Sequence, residues 1–278
     1  MDTNLPSSHR SAPPPLNAGT IVYGIHPVEE LIATRLRQID RLYFDGERSS
    51  GPLFELVKLA RKERLPYQMV PTQKLDFTAG SRNHQGAVAL CSAKEYLSPE
   101  TLLEQLLKKP SAPLLFLPAS VEDPRNLGAL VRTCVAFGVD AMLLERKNTA
   151  PVGATVAKAS AGMLERISLV KPKNLEGLVE TLAAKGFAVV GAIQGAEKKP
   201  PDVDFTVPAI LITGGENRGI PPYLAKKCTH FAGIPIAAET ESLNVSAAAA
   251  ILLYECARQR GFPFANEHAG SRSVVDKK

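Results

Sequence analysis

The chain has 278 residues, 45% of them hydrophobic and 6% aromatic, with no tryptophan and a net charge of +5. That length buries a sizeable core as one large domain or two smaller ones, and no apolar run approaches the roughly 18 residues of a membrane span. A pI near 9.0 admits nucleic acid as a partner without demanding it, while so few aromatics disfavour a binder that stacks bases on aromatic platforms.

Residues 1–18 are rich in Pro and Ser and aperiodic, which reads as a disordered arm; they lack the basic-then-apolar order of a secretory signal. Residues 19–96 read as a small α/β domain. Helix is expected at 26–36 (HPVEELIATRL) and 53–64 (LFELVKLARKER), strand at 39–44 (IDRLYF) and 86–91 (GAVALC). Residues 97–112 form a polar, partly helical linker.

From residue 113 the alternation strengthens. Strand-like runs at 114–118, 140–145, 166–170, 187–193 and 209–215 are apolar throughout, with helical patterns at 127–137, 154–164 and 175–185. Such runs imply a mostly parallel sheet covered on both faces. This second domain is expected to extend to residue 262, with 263–278 as a flexible tail. Cys91, Cys134, Cys228 and Cys256 are scattered, with no CxxC pair and no histidine at zinc spacing. A reduced, metal-free, cytoplasmic protein without a membrane association is the plain expectation.

Three loops could carry chemistry. The first, VEDPRNLGALVRTCVAFG (121–138), opens a helix that Asp123-Pro124 or Asn126 can cap, with Arg132 beside an apolar stripe. A surface arginine is the plainer account of Arg132 taken alone. The second, LITGGENRGIPP (211–222), has glycines that permit close approach of a ligand to the backbone. It is not a Walker loop, since Ile220 and Pro221 follow Gly219, and a GxGxxG fingerprint is absent elsewhere. Glu216 would repel a phosphate, so a cationic or neutral ligand fits better. The third, GIPIAAETESLNVSAAAA (233–250), leads into an alanine-rich helix. Asn244 suffices as its cap, which leaves Ser242 and Ser246 unexplained.

Taken in order, these loops resemble the three motifs of the SpoU (TrmH) family of RNA ribose 2′-O-methyltransferases, within the SPOUT superfamily. The matching residues are Asn126-x-Gly128-x-x-x-Arg132, Gly214-x-Glu216-x-x-Gly219, and Ile234-Pro235 followed by Ser242-Leu243-Asn244-Val245-Ser246. The likeness covers about 113–260. Residues 20–92, with YGIHPVEELI and NHQGAVAL, resemble the N-terminal RNA-binding domain, of a ribosomal-protein-like fold, in the subgroup that methylates large-subunit ribosomal RNA. Two positions depart from the third motif: Ala238 stands where glycine is usual and Thr240 where valine is common.

The resemblance implies a trefoil-knotted methyltransferase domain, an exception to the rule that chains do not thread. It implies a homodimer through that domain, and S-adenosylmethionine held by Gly214, Gly215, Glu216, Gly219, Ile234, Leu243, Asn244 and Ser246. Methyl transfer to a ribose 2′-OH requires acceptance or withdrawal of its proton. The family suggests Arg132 for this, with Asn126, Glu216, Ser242 and Asn244 shaping the site. RNA recognition is expected from Lys58, Arg61, Lys62, Arg82, His84 and Arg125, each of which could equally be a solvated surface residue. Ribosomal RNA is the expected partner. Transfer RNA is the alternative, since minimal tRNA enzymes of this type lack a globular N-terminal domain. A catalytically silent RNA-binding or ribosome-assembly protein on the same fold is the other reading.

Overall fold

The computed structural model describes residues 20–47, 51–215 and 218–263. The expected arm and most of the expected tail lie outside these residues, as does Glu216. The first sheet is built from β1 (Thr20–Tyr23), β2 (Ile39–Asp45), β3 (Tyr67–Val70) and β4 (Ala87–Cys91), in spatial order β1-β4-β2-β3. Pairing is antiparallel except between β2 and β3. Helices α1 (Ile25–Arg35) and α2 (Pro52–Lys62) cover one face. Leu53, Leu56, Val57 and Ala60 of α2, at helical spacing, pack there with Leu42 and Phe44 of β2. Because side chains alternate along a strand, Tyr43 and Val88 point the other way. They meet α3 (Thr72–Ala79) through its buried Leu75.

The expected linker holds a real helix, α4 (Pro99–Lys108), capped by Ser98 Oγ accepting from the Thr101 amide at 3.1 Å. Its Leu102 and Leu106 are buried against the second sheet, so this segment is packed rather than a free bridge. The second domain then runs β5 (Leu114–Ala119), α5 (Pro124–Ala136), β6 (Ala141–Leu143), α6 (Ala154–Ala159), β7 (Ser168–Val170), α7 (Leu175–Ala184), β8 (Ala188–Ala192), β9 (Ala209–Gly214), α8 (Pro222–Ala225), β10 (His230–Ala232) and α9 (Val245–Gln259). Its six strands are all parallel, in order β10-β8-β9-β5-β6-β7. Every residue of β5 is buried. Leu114 and Phe116 face α5 and α9, while Leu115 and Leu117 face α4 and α7. The expected helix 154–164 stops at residue 159. Ala161 and Gly162 adopt φ of +51° and +88°, and a 3-10 turn at Met163–Arg166 follows.

That turn docks the two domains. A Cβ on Gly162 would come within 2.8 Å of Glu30 Cγ, so only glycine lets α1 approach. Beside it Arg35 Nη1 lies 3.1 Å from Glu165 Oε2, with side-chain exposures of 11% and 2%. Lys94 also faces Glu165, and Arg166 bonds Glu30 at 2.6 Å. Among the described residues no helix is long and apolar enough to cross a membrane, and no three metal-ligating side chains cluster.

Candidate functional site

In a parallel sheet the loops at the carboxyl ends of the strands converge where the strand order reverses. Here that place is β5, between β9 and β6. Asp123 caps α5, its carboxylate accepting from the Arg125 amide at 2.7 Å, so Asn126 is not needed as a cap. Instead Asn126 Oδ1 accepts from Asn244 Nδ2 at 3.2 Å. Asn244 caps α9, its Oδ1 accepting from the Ser246 amide at 2.9 Å and from Ser246 Oγ at 2.6 Å. Ser246 thus fixes Asn244, and Asn244 presents its amide to Asn126. The polar entrance of α9 both caps the helix and reaches across to the first loop.

The second loop folds back on itself, Gly219 N donating to Gly215 O at 3.0 Å. A Cβ on Gly214 would sit 2.2 Å from the Gly219 carbonyl carbon, and one on Gly215 only 2.0 Å from Ser120 O, so both glycines are required by close backbone approach. A cavity of about 220 Å³ opens beside them, lined by Thr213, Gly214, Gly215, Ile234, Ser242 and Leu243. It shares Gly215 and Val245 with a second cavity of about 380 Å³ that holds Asn126 and Ser120. Thr213 is 2% exposed, and its hydroxyl finds no partner among the described residues. A buried hydroxyl in that state is satisfied by a water or a ligand atom. Glycine walls, apolar flanks and one orphaned hydroxyl fit a neutral adenosine-like group better than a phosphate. Ala238 is exposed and does not adopt a positive φ, so the backbone there imposes no demand for glycine.

One residue at the site was not anticipated. Glu145, 5% exposed, accepts from the Ser120 amide at 2.5 Å and from Tyr223 Oη at 2.7 Å. It holds Ser120 at φ +56° against Gly215, bracing the wall of both cavities. Burial first, and this hydrogen bond second, push the Tyr223 phenol up from its ordinary value. A lone glutamate ending an apolar strand carries no sequence signal of such a role.

Arg132 lies apart from Asn126 on α5. Six residues along α5 from Asn126 amounts to about 9 Å of rise and roughly 120° of rotation. Arg132 is exposed and shares a stripe with Arg125, Ala129 and Ala136, not with Asn126. The expected RNA-binding residues also divide. Arg82, His84 and Arg125 line one cleft of about 800 Å³ between the domains, with Lys158 beside them. His84, however, is 3% exposed: Nε2 donates to Asp76 at 2.9 Å and Nδ1 accepts from the Gly86 amide at 3.0 Å. It braces the loop and leaves phosphate contact to its neighbours. Lys58, Arg61 and Lys62 lie on α2, across the sheet from that cleft. Lys58 pairs with Glu55 at 2.9 Å and Arg61 donates to Tyr67 Oη, the ordinary behaviour of a solvated helix face.

Comparison with known proteins agrees with this geometry. Residues 113–254 match the SpoU rRNA Methylase family, and residues 21–97 match the RNA 2'-O ribose methyltransferase substrate binding family. An uncharacterized tRNA/rRNA methyltransferase of Synechocystis is 33% identical over 259 residues, 91% of this chain and 67% of the relative. A TrmH family tRNA/rRNA methyltransferase, so named in Staphylococcus aureus, is 30% identical over 87% of this chain and 96% of its own length. The SpoU methyltransferase AviRb of Streptomyces viridochromogenes, solved with the cofactor AdoMet, superposes with a TM-score of 0.73 at 25% identity. That match covers 87% of this chain and 91% of AviRb.

Proposed function

The chain belongs to the SpoU rRNA methylase family, and from that premise we propose that it methylates a ribose 2′-hydroxyl of large-subunit ribosomal RNA, using S-adenosylmethionine. The observation that carries this reading is the glycine-walled cavity lined by Thr213, which shares Gly215 and Val245 with the cavity holding Asn126, the partner of Asn244. Gly214, Gly215, Ile234 and Leu243 hold the cofactor, which supplies an electrophilic methyl group when bound. Glu216 and Gly219 belong to the same loop. In the knot expected of this family α9 is the threaded helix, and the segment 242–246 that opens it closes over the cavity.

The chain's own task is to bind and orient the ribose and to polarise its 2′-hydroxyl, whose proton passes to solvent as the methyl group is transferred. Asn126, oriented through Asn244 and Ser246, positions the sugar, and Ser242 closes the rim. Arg132 lies on a different stripe of α5, so it serves the site of a second copy. The α9 stripe Ala247–Ile251–Tyr254–Arg258 supports that dimer: it is exposed along its length, with Ile251 at 43% and Tyr254 at 51%. The fully formed N-terminal domain, matching a substrate-binding family, favours ribosomal over transfer RNA. In the cleft between the domains, Arg82 of the first and Arg125 of the second engage phosphates.

The test is transfer of labelled methyl from S-adenosylmethionine to unmodified ribosomal RNA and to tRNA by the purified protein. Label in ribosomal RNA alone is expected. Label in tRNA alone would replace the substrate, and binding without label in either would favour a silent RNA-binding protein.

A further inference from the structure

Beyond the cofactor and cleft residues, a second cavity system sits on the other flank of the site. It measures about 350 Å³ and lies at the carboxyl ends of β6 and β7. Arg146 and Lys147 reach it from the loop after β6. Lys173 and Asn174 reach it from the loop between β7 and α7, and Asn148 and Tyr223 complete the rim. All three cations are exposed.

The acids nearby are already occupied. Glu145 gives its two oxygens to the Ser120 amide and to Tyr223. Glu176 pairs with Lys227 at 3.0 Å. Among the described residues no carboxylate pairs with Arg146, Lys147 or Lys173. Three uncompensated cations on two adjacent loops therefore present a local positive field, with side-chain amides and a phenol between them.

The strand order gives this patch its direction. Along β10-β8-β9-β5-β6-β7 the cofactor cavity takes the loops of β10, β8 and β9, Asn126 follows β5, and the cations follow β6 and β7. Adjacent strands lie about 4.8 Å apart, so the patch begins within roughly 10 Å of the Asn126 loop on the side away from the cofactor. The two cavities share a wall, because the carboxylate of Glu145 touches Ser120 on one side and Tyr223 on the other.

We propose that Arg146, Lys147 and Lys173 bind the phosphodiester backbone of the substrate RNA, on the nucleotides flanking the target ribose on the side away from the cofactor. This rests on the RNA methylation reading and adds a contact surface to it. Cations of this kind position the backbone without reading sequence. Neutralising phosphates makes affinity salt-dependent, with a slope of about −0.7 per contact for a single strand. The side-chain amide of Asn148 and the Nδ2 of Asn174, whose Oδ1 caps α7, suit sugar contacts, which an acidic protein partner would not need.

The test uses the full chain with Arg146, Lys147 and Lys173 all changed to alanine. Binding to fluorescein-labelled ribosomal RNA is measured across a salt series, in parallel with methyl-transfer kinetics. A tenfold or greater rise in Kd and in KM for RNA is expected. The salt slope should fall by about 2, while affinity for S-adenosylmethionine stays within twofold. An unchanged Kd and slope overturns the patch. So does a loss confined to cofactor affinity, which would mean that these residues merely support the Glu145 brace. Arg146→Lys keeps the charge and should retain RNA affinity. Because binding is read separately from turnover, a wild-type protein that transfers no methyl overturns the enzymatic reading while the binding series still decides the patch.

Discussion

Arg132 carries the sharpest expectation at the level of single residues. A guanidinium is a poor base in isolation, yet its planar fork can grip a phosphate and polarise a neighbouring hydroxyl. Arg132→Lys keeps the charge and loses the fork. It should lower kcat at least a hundredfold while leaving S-adenosylmethionine affinity within twofold, as read by titration calorimetry beside steady-state kinetics. Near-normal turnover would remove the residue from the mechanism. No thiol competes for the role. Burial pushes Cys91 and Cys228 up to about 11 and Cys256 up to about 12. All three therefore stay protonated and unreactive at neutral pH.

Among the elements, α9 does two things with two faces. Its buried face, including Ala249, Leu252, Leu253 and Cys256, packs toward α5 and β9. Its opposite stripe is exposed, with Ile251 at 43% and Tyr254 at 51%, and is the surface assigned above to the proposed dimer. Charging that stripe with Ile251→Asp and Tyr254→Asp should give a monomer by light scattering that no longer methylates RNA. An active monomer would place Arg132 back in its own subunit's site. The apolar runs of β5, β8 and β9 and the glycines of the second loop were legible in the sequence, because burial on both faces and close backbone approach leave few other residue choices. β1, β3 and α3 were not: the two strands have four residues each, and α3 buries only Leu75, too little to impose a period. The pairing of Asn126 with Asn244, 118 positions apart, and the Glu145 brace depend on tertiary approach that no local pattern encodes. His84 shows the converse. Its place in a basic-looking loop suggested RNA contact, whereas burial and two hydrogen bonds make it a brace.

For the molecule as a whole, the two domains are joined by buried charge as well as apolar contact. Glu165 is nearly inaccessible and faces both Arg35 and Lys94. Removing one member of such a group leaves the others desolvated without compensation, which costs about 3 kcal/mol. Glu165→Ala should therefore lower the unfolding midpoint measurably in calorimetry and raise KM for RNA, as the cleft holding Arg82 and Arg125 loosens. An unchanged midpoint would mean that the domains dock without this pair. The same arrangement orders the whole surface: the glycine-walled cavity, the Asn126 loop and the cations Arg146, Lys147 and Lys173 follow the strand order along one edge, with the interdomain cleft opening beside α5 and α6.

The most direct measurement concerns the linkage that the enzyme makes. Ribosomal RNA labelled by the purified protein from methyl-labelled S-adenosylmethionine is hydrolysed in alkali, and the products are separated by size. A 2′-O-methyl group removes the hydroxyl that alkaline cleavage needs, so label is predicted in an alkali-resistant dinucleotide. Label released entirely in mononucleotides would mean methylation of a base, and would contradict the assignment of the Asn126–Asn244 site to a ribose hydroxyl.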